Sequence, residues 1–304
     1  MTLCFPRLVG LFALISGTTA VPAQPDFRHG QPPQAQRPAT AYIPDLPKLA
    51  QPSSSELREL VERFVTDRDA LRRFYSVPGS TLQLQRLAAF HEAWLSRLDA
   101  ISYDTLSSAG RIDWHLLRTQ LRHEIALLAR TGERNVALAE LLPFADRIAR
   151  LQESRRAFEP MSYAPTAAGL AQVAEEVKKL RAALESADAR RPSRIIALRA
   201  ATRLSELTAT LKNWFEHSNA YDPQFGWWMR EPQKAAISAL DGYARFLREK
   251  IVGFKEGEDE PIVGDPIGVA GLRLDLEREM IPYAAGELIA VGEREFAWCE
   301  AEWK

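Results

Sequence analysis

From Leu57 onward, apolar residues recur every three or four positions, the spacing of one face of an α-helix. Leu57, Leu60, Val61, Phe64, Val65, Leu71 and Phe74 form the first stripe. Ser53, followed three residues later by Glu56, is the serine–glutamate pair that caps a helix start. Val77-Pro78-Gly79-Ser80 interrupts the period, and Leu84, Leu87, Phe90, Trp94 and Leu98 resume it. A third stripe runs from Ser107 to Arg130 through Ile112, Leu116, Leu121, Ile125 and Leu128. Leu141-Leu142-Pro143-Phe144 opens a fourth helix, and Pro165 to Glu185 and Arg194 to His217 give two more.

The stretch from Asn219 to Trp228 reads as a turn-rich connection, because Asp222-Pro223 and Gly226 are turn residues. Glu231-Pro232 is expected to open the next helix, which continues through Leu240, Tyr243, Phe246, Leu247 and Ile251. A polar connection from Phe254 to Pro261 leads to the turn Gly264-Asp265-Pro266-Ile267-Gly268. A helical pattern follows, then a break at Pro282, then a last helix whose stripe is Ile289, Gly292, Phe296, Cys299 and Trp303. No stretch alternates with period two long enough for a sheet. The pattern predicts an all-α fold: an irregular multi-helix array of long antiparallel helices with short connections.

The first residues have a different character. Arg7 precedes a short apolar run from Leu8 to Ile15, and Val21-Pro22-Ala23 places small residues where signal peptidase cuts. Residues 1–23 therefore read as a cleavable signal peptide, cut after Ala23, which directs the chain to the periplasm or outside the cell. The apolar run is too short to span a bilayer, so no membrane association is expected after cleavage. Residues 24–54 form a linker rich in proline, from Pro25 to Pro52, with too little apolar surface to order itself. Residues 55–304 are the helical domain. Cleavage removes Cys4 and leaves Cys299, which reads as a small buried hydrophobe on the last stripe.

Charge removes one class of function. Lys+Arg 39 against Asp+Glu 40 leaves no basic excess for a nucleic-acid backbone. The search for catalytic chemistry also returns little. His91-Glu92 and His123-Glu124 each begin the His-Glu-x-x-His motif of helical zinc hydrolases, but Leu95 and Leu127 occupy the second histidine position. Both pairs therefore read as helix-surface residues. There is no Gly-x-Ser-x-Gly elbow and no phosphate-binding Gly-x-x-x-x-Gly-Lys loop. Carboxylates are plentiful, but pairs such as Glu175 and Lys179 read as solvated helix faces. No catalytic residue, metal ligand or cofactor is assigned within the chain. The substrate-binding candidates are the aromatics Tyr221, Phe225, Trp227 and Trp228, with Tyr283. Aromatics so placed serve either as a ligand platform or as a plug for the core beneath a connection.

Three runs carry a family resemblance. They are SYDTLSSAGRIDWHLLRTQLRHEIALL from Ser102, HSNAYDPQFGWWMREPQKAAISALDGYARFL from His217, and GDPIGVAGLRLDLEREMIPYAAGELIAVGEREFAWCEAEWK from Gly264. They resemble the N-terminal part of the bacterial domain-of-unknown-function 885 family, whose members are all-helical and similar in architecture to helical zinc carboxypeptidases and other zincins. The family's His-Glu-x-x-x-Gly-His-type zinc segment lies downstream of the positions matched here. The resemblance therefore implies the N-terminal helical half of an exported, zinc-dependent, peptidase-like hydrolase, supplying one wall of a peptide cleft. Its expected partners are a peptide substrate and the C-terminal half of the same polypeptide, and zinc belongs only to the full-length protein. The absence of a Gly, Asn or Pro stop after the last stripe agrees with a fold that continues. The alternative is a non-catalytic helical binding module that exposes Ile289, Phe296 and Trp303 to a partner. An enzyme using its own carboxylates is a third reading.

Overall fold

A computed structural model describes residues 55–186, 191–255, 257, 259 and 261–303. The expected signal peptide, the expected linker and the expected cap residue Ser53 lie outside the described residues. Among those described there are nine α-helices and no strand: α1 Arg58–Phe74, α2 Thr81–Asp99, α3 Ser108–Leu138, α4 Ala145–Arg156, α5 Tyr163–Glu185, α6 Arg194–Asn219, α7 Pro223–Phe246, α8 Gly268–Arg278 and α9 Ala285–Trp303. None of them is long and apolar enough to cross a membrane. The fold is all-α.

Helix starts follow local chemistry. Ser80, Ser107, Ser193 and Asp222 each accept the N–H three residues on, satisfying one of the donors that a helix start leaves open. Gly79, at φ 60, makes the turn into α2. Glu56 does not act on its own helix. Its carboxylate accepts both the N–H and the Oγ–H of Ser107, at 3.1 and 2.8 Å, and so ties the chain before α1 to the cap of α3. Its own backbone N–H, and then Ser107, hold the carboxyl below its ordinary value. Gly110 leaves room for this contact, since a Cβ there would lie 2.2 Å from a Glu56 carboxylate oxygen.

Two apolar cores result. Leu57, Phe64, Leu98, Leu106, Leu117 and Leu121 join α1, α2 and α3. A larger core joins α4 to α7, centred on Leu204, Leu207, Leu211 and Trp214 of α6, all fully buried. Each such leucine contributes about 2 kcal/mol by leaving water.

The region after α6 differs from the expectation. Only Ala220 to Asp222 is non-helical, and Pro232 lies inside α7 instead of opening a helix. Asp222 caps α7 and Pro223 occupies its first turn, where a missing N–H costs nothing. An interior proline costs about 3 kcal/mol. Phe225, Met229, Ala236, Leu240 and Tyr243, all buried on one face against α5 and α6, offset that cost. A π-helical turn, Leu247–Val252, then leads to Gly253 at φ 94.

The last two helices form where the pattern placed them but lie on the surface. The one buried residue of α8 is Gly271, where a Cβ would sit 3.1 Å from the Arg130 guanidinium on α3. Helix α9 buries nothing, and Cys299 is exposed, contrary to the expected buried thiol. The reason is positional: among the described residues nothing covers its stripe.

Candidate functional site

The principal cleft, of about 850 Å³, opens where α4, α5 and the C-terminal end of α6 meet. That is within the roughly 300–1,000 Å³ of ordinary small-ligand pockets. Its apolar floor is Ile148, Leu170, Val173 and Trp214. These residues belong to the main core, so the floor is rigid. Arg147, Arg150, Arg155, Arg156 and His217 bring cationic or polar groups to the walls, and Glu159 is the one carboxylate among the lining residues.

The period of α4 explains this mixture. Ile148, Ala149 and Gln152 face the core, and the arginines occupy the remaining faces. Arg155 and Arg156 in the last turn also suit the negative end of the helix dipole. The helix ends with Phe158 in the left-handed conformation, φ 56, a position usually held by glycine. The Phe158 N–H donates to the Arg155 carbonyl at 3.1 Å and the Glu159 N–H to the Ser154 carbonyl at 3.0 Å, closing the turn. Its side chain stands 94% exposed at the cleft wall. A non-glycine residue in this conformation costs about 1–2 kcal/mol. Such strain is a recurrent mark of functional positions.

Some donors in the walls already have partners. Arg147 pairs with Glu176, and the Arg155 Nε–H donates to Gln152 Oε1 at 3.0 Å. Glu159 accepts from Ser154 Oγ at 2.6 Å. Others do not. Arg150 and Arg156 have no hydrogen-bond or ion-pair partner among the described residues, and the Nε of Arg156 is buried. The indole N–H of Trp214, also buried, has no acceptor. Crowding of charge shows in the titrating groups. Burial, and then the neighbouring Arg156, push the Arg155 guanidinium below its ordinary value. His217 is lowered by burial, then by Arg155 and Arg156. Its ring meets Tyr221 edge to face at 5.4 Å.

The aromatic candidates separate. Tyr221 lines the cleft at its rim. Phe225 is buried in the core against Trp214 and Phe215, with centroids 5.0 and 5.7 Å away. Trp227 is exposed on α7, edge-on to the half-buried Trp228 at 4.9 Å. Tyr283 is exposed in the connection between α8 and α9. Because Pro223 to Trp228 is helical, these aromatics point in different directions instead of forming one platform. Sequence reasoning passed over the arginines of α4. Their signal was the run Ser154-Arg-Arg-Ala-Phe-Glu-Pro160, two cations before an aromatic and a proline stop.

The histidines of the two His-Glu pairs are buried instead of lying on the surface, although Glu92 is exposed as expected. His91 is fully buried against Phe64 and Phe90, with neither ring nitrogen hydrogen-bonded. Its imidazole is lowered first by burial. His123 is also buried, and its Nε2 meets Asp275 Oδ1 of α8 at 2.8 Å. Glu175 pairs with Lys178, at 2.7 Å, instead of Lys179. Among the described residues no group of three His, Cys, Asp or Glu side chains is placed to hold a metal ion. Comparison with family models, curated proteins and solved structures returns no match for this chain.

Proposed function

We propose that the chain is a helical binding module that holds an elongated organic ligand in the cleft between α4, α5 and α6. The observation that carries this reading is the cleft itself: a rigid apolar floor ringed by arginines, two of which have no partner within the described residues. Within the resemblance to the domain-of-unknown-function 885 family, this is the substrate-wall role in an exported, zinc-dependent, peptidase-like hydrolase. A peptide is then the ligand, and the metal and its base come from residues outside this sequence. The exposed stripe of α9, with Phe296 at 66% and Trp303 at 93%, supports the same reading as surface for the remainder of such a protein to cover.

Thermal melting of the full chain with a pooled library of apolar-rich octapeptides tests this. Binding stabilises the folded chain by mass action, by about 2.7 kcal/mol at a hundredfold excess over Kd, and so raises the melting temperature. Gly169 lines the cleft, and a Cβ there meets nothing within 4 Å. Gly169→Phe therefore plugs the cleft and abolishes the rise. A melting temperature that no peptide moves, or that rises equally in the plugged variant, overturns the proposal.

A further inference from the structure

We infer that the cleft selects a carboxylate on an apolar body, with the carboxylate held by Arg156 and Arg150 and the apolar body lying on the floor formed around Trp214. This rests on the binding-module reading and adds the chemical class of the ligand.

The argument is one of unmet donors. A buried N–H left without an acceptor forfeits roughly 1–3 kcal/mol, so native interiors leave few of them. Two residues that line this cleft carry such groups, the Arg156 Nε–H and the Trp214 indole N–H, and both are donors. Only an acceptor can satisfy them. Arg150 adds a further guanidinium with no counter-ion among the described residues. A guanidinium presents a planar fork of N–H groups that fits a carboxylate two-to-two. The only carboxylate lining the cleft, Glu159, is already engaged by Ser154.

Charge balance excludes the alternatives. A cation entering here would meet Arg150, Arg155 and Arg156 together. A neutral molecule would cover the guanidinium of Arg156 without replacing its hydration, which is costly. A small inorganic anion would leave the exposed apolar lining of Phe74, Phe158 and Tyr221 uncovered. An anionic head on an apolar body satisfies both surfaces at once. His217 supplies a reporter: an anion beside Arg155 and Arg156 offsets the charges that hold its proton off, so its titration moves up.

The experiment is a calorimetric titration of the full chain with two acids, dodecanoate and N-acetyl-leucyl-phenylalanine, each against its matched primary amide. Either acid is expected to bind about tenfold or more tightly than its amide, as charge-assisted bonds predict. Whichever acid binds identifies the source as a lipid or a peptide end. Arg156→Gln is expected to bring the preferred acid down to the affinity of its amide. Gly169→Phe removes both acid and amide, and reports on the cleft if the arginine variant does not fold. In the same samples the His217 ring signal, followed by NMR against pH, titrates higher with acid than with amide. Equal affinity for acid and amide, with both lost in Gly169→Phe, overturns this inference and leaves the binding-module reading standing. No binding of any of the four compounds overturns both.

Discussion

Helix α6 buries ten of its residues, Leu204, Leu207, Leu211 and Trp214 among them, whereas α9, with Ile289, Phe296 and Trp303 on one stripe, buries none. Both carry the same three-and-four spacing. The spacing decides that a helix forms and which face is apolar, but burial needs a second surface, and of these two only α6 has one, in α4, α7 and the π-helical turn. Helix α8 stands between these cases. It is attached to α3 through His123 and Asp275 at 2.8 Å and through the Arg278 Nε–H to Gln120 Oε1 at 3.2 Å. Arg134 and Arg199 hold Asp265 just before it, and Arg199 is the first cause of that carboxyl's lowered value. Partly exposed pairs of this kind contribute about 0–1 kcal/mol each. The protein therefore has a cooperative body and a weakly attached end.

Hydrogen exchange is the strongest way to break that contrast. Amides in the middle of α6 open only with the whole bundle, at a cost of about 5 kcal/mol or more. Most helical stability comes from tertiary packing, and α9 buries no residue. Amides of α9 should therefore exchange about a thousandfold or more faster than those around Leu204 and Leu207. Equal protection would mean that the stripe of α9 is covered in solution.

Mutation sharpens the same contrast at single residues. Leu204→Ala is expected to cost about 2–5 kcal/mol, since α6 cannot collapse into the space left in a closed core. Phe296→Ala is expected to change stability by no more than about 0.5 kcal/mol. Midpoints of urea unfolding, compared at unchanged m-value, measure both.

The sequence pattern located most helix starts closely because those signals are local: Ser80, Ser107 and Ser193 each act within three residues, whereas the equally local cap at Asp222 was read as a turn. It failed at Pro232, where a local rule was outweighed by buried contacts from Phe225 to Tyr243 that belong to other helices. It failed at His91 and Cys299 in opposite directions for one reason. His91 shares its period with Leu87 and Leu98, and a polar residue reads as exposed until α1 is seen to cover it. Cys299 reads as buried until nothing is seen to cover it. The cleft was the least legible part. Tyr221 was found because aromatics attract attention, but Arg150 and Arg156 are ordinary helix-face residues in sequence. Their lack of partners is a property of three helices together.

His91 also separates the body from the end by pH. Its imidazole lies among Phe64 and Phe90; burial lowers its value most, Glu124 of α3 opposes that, and Arg72 and Arg68 of α1 add to the lowering. The folded state therefore binds this proton less readily than the unfolded chain, whose ordinary value is 6.5. Its contribution is intact above that pH and is lost as pH falls below it, because protons then favour the unfolded chain. Melting temperatures measured from pH 8 to 5 should fall through this window, and His91→Phe should flatten that part of the curve. Exchange at α9, which contains no histidine, should show no matching step.

The smallest effect tests whether strain is stored where it can be used. Phe158 and Met280 both sit in the left-handed conformation, at φ 56, just past the ends of α4 and α8, and both are followed two residues later by proline. The same turn thus ends one helix of the body and one weakly attached helix. Glycine at either position relieves about 1–2 kcal/mol of backbone strain, and the greater freedom of the unfolded chain offsets part of that. Phe158→Gly is therefore expected to raise global stability by about 0.5–1 kcal/mol, because α4 unfolds with the core. Met280→Gly is expected to leave the melting temperature unchanged and only slow exchange locally at the end of α8, because that helix opens before the core does. The two variants differ again in binding. Phe158 stands exposed at the cleft wall, so its removal should weaken the preferred acid while the protein becomes more stable, whereas Met280→Gly leaves affinity as it was. A Phe158→Gly protein that is more stable and binds as tightly as before would show the strain to be structural only, and the aromatic at the cleft wall to have no part in holding a ligand.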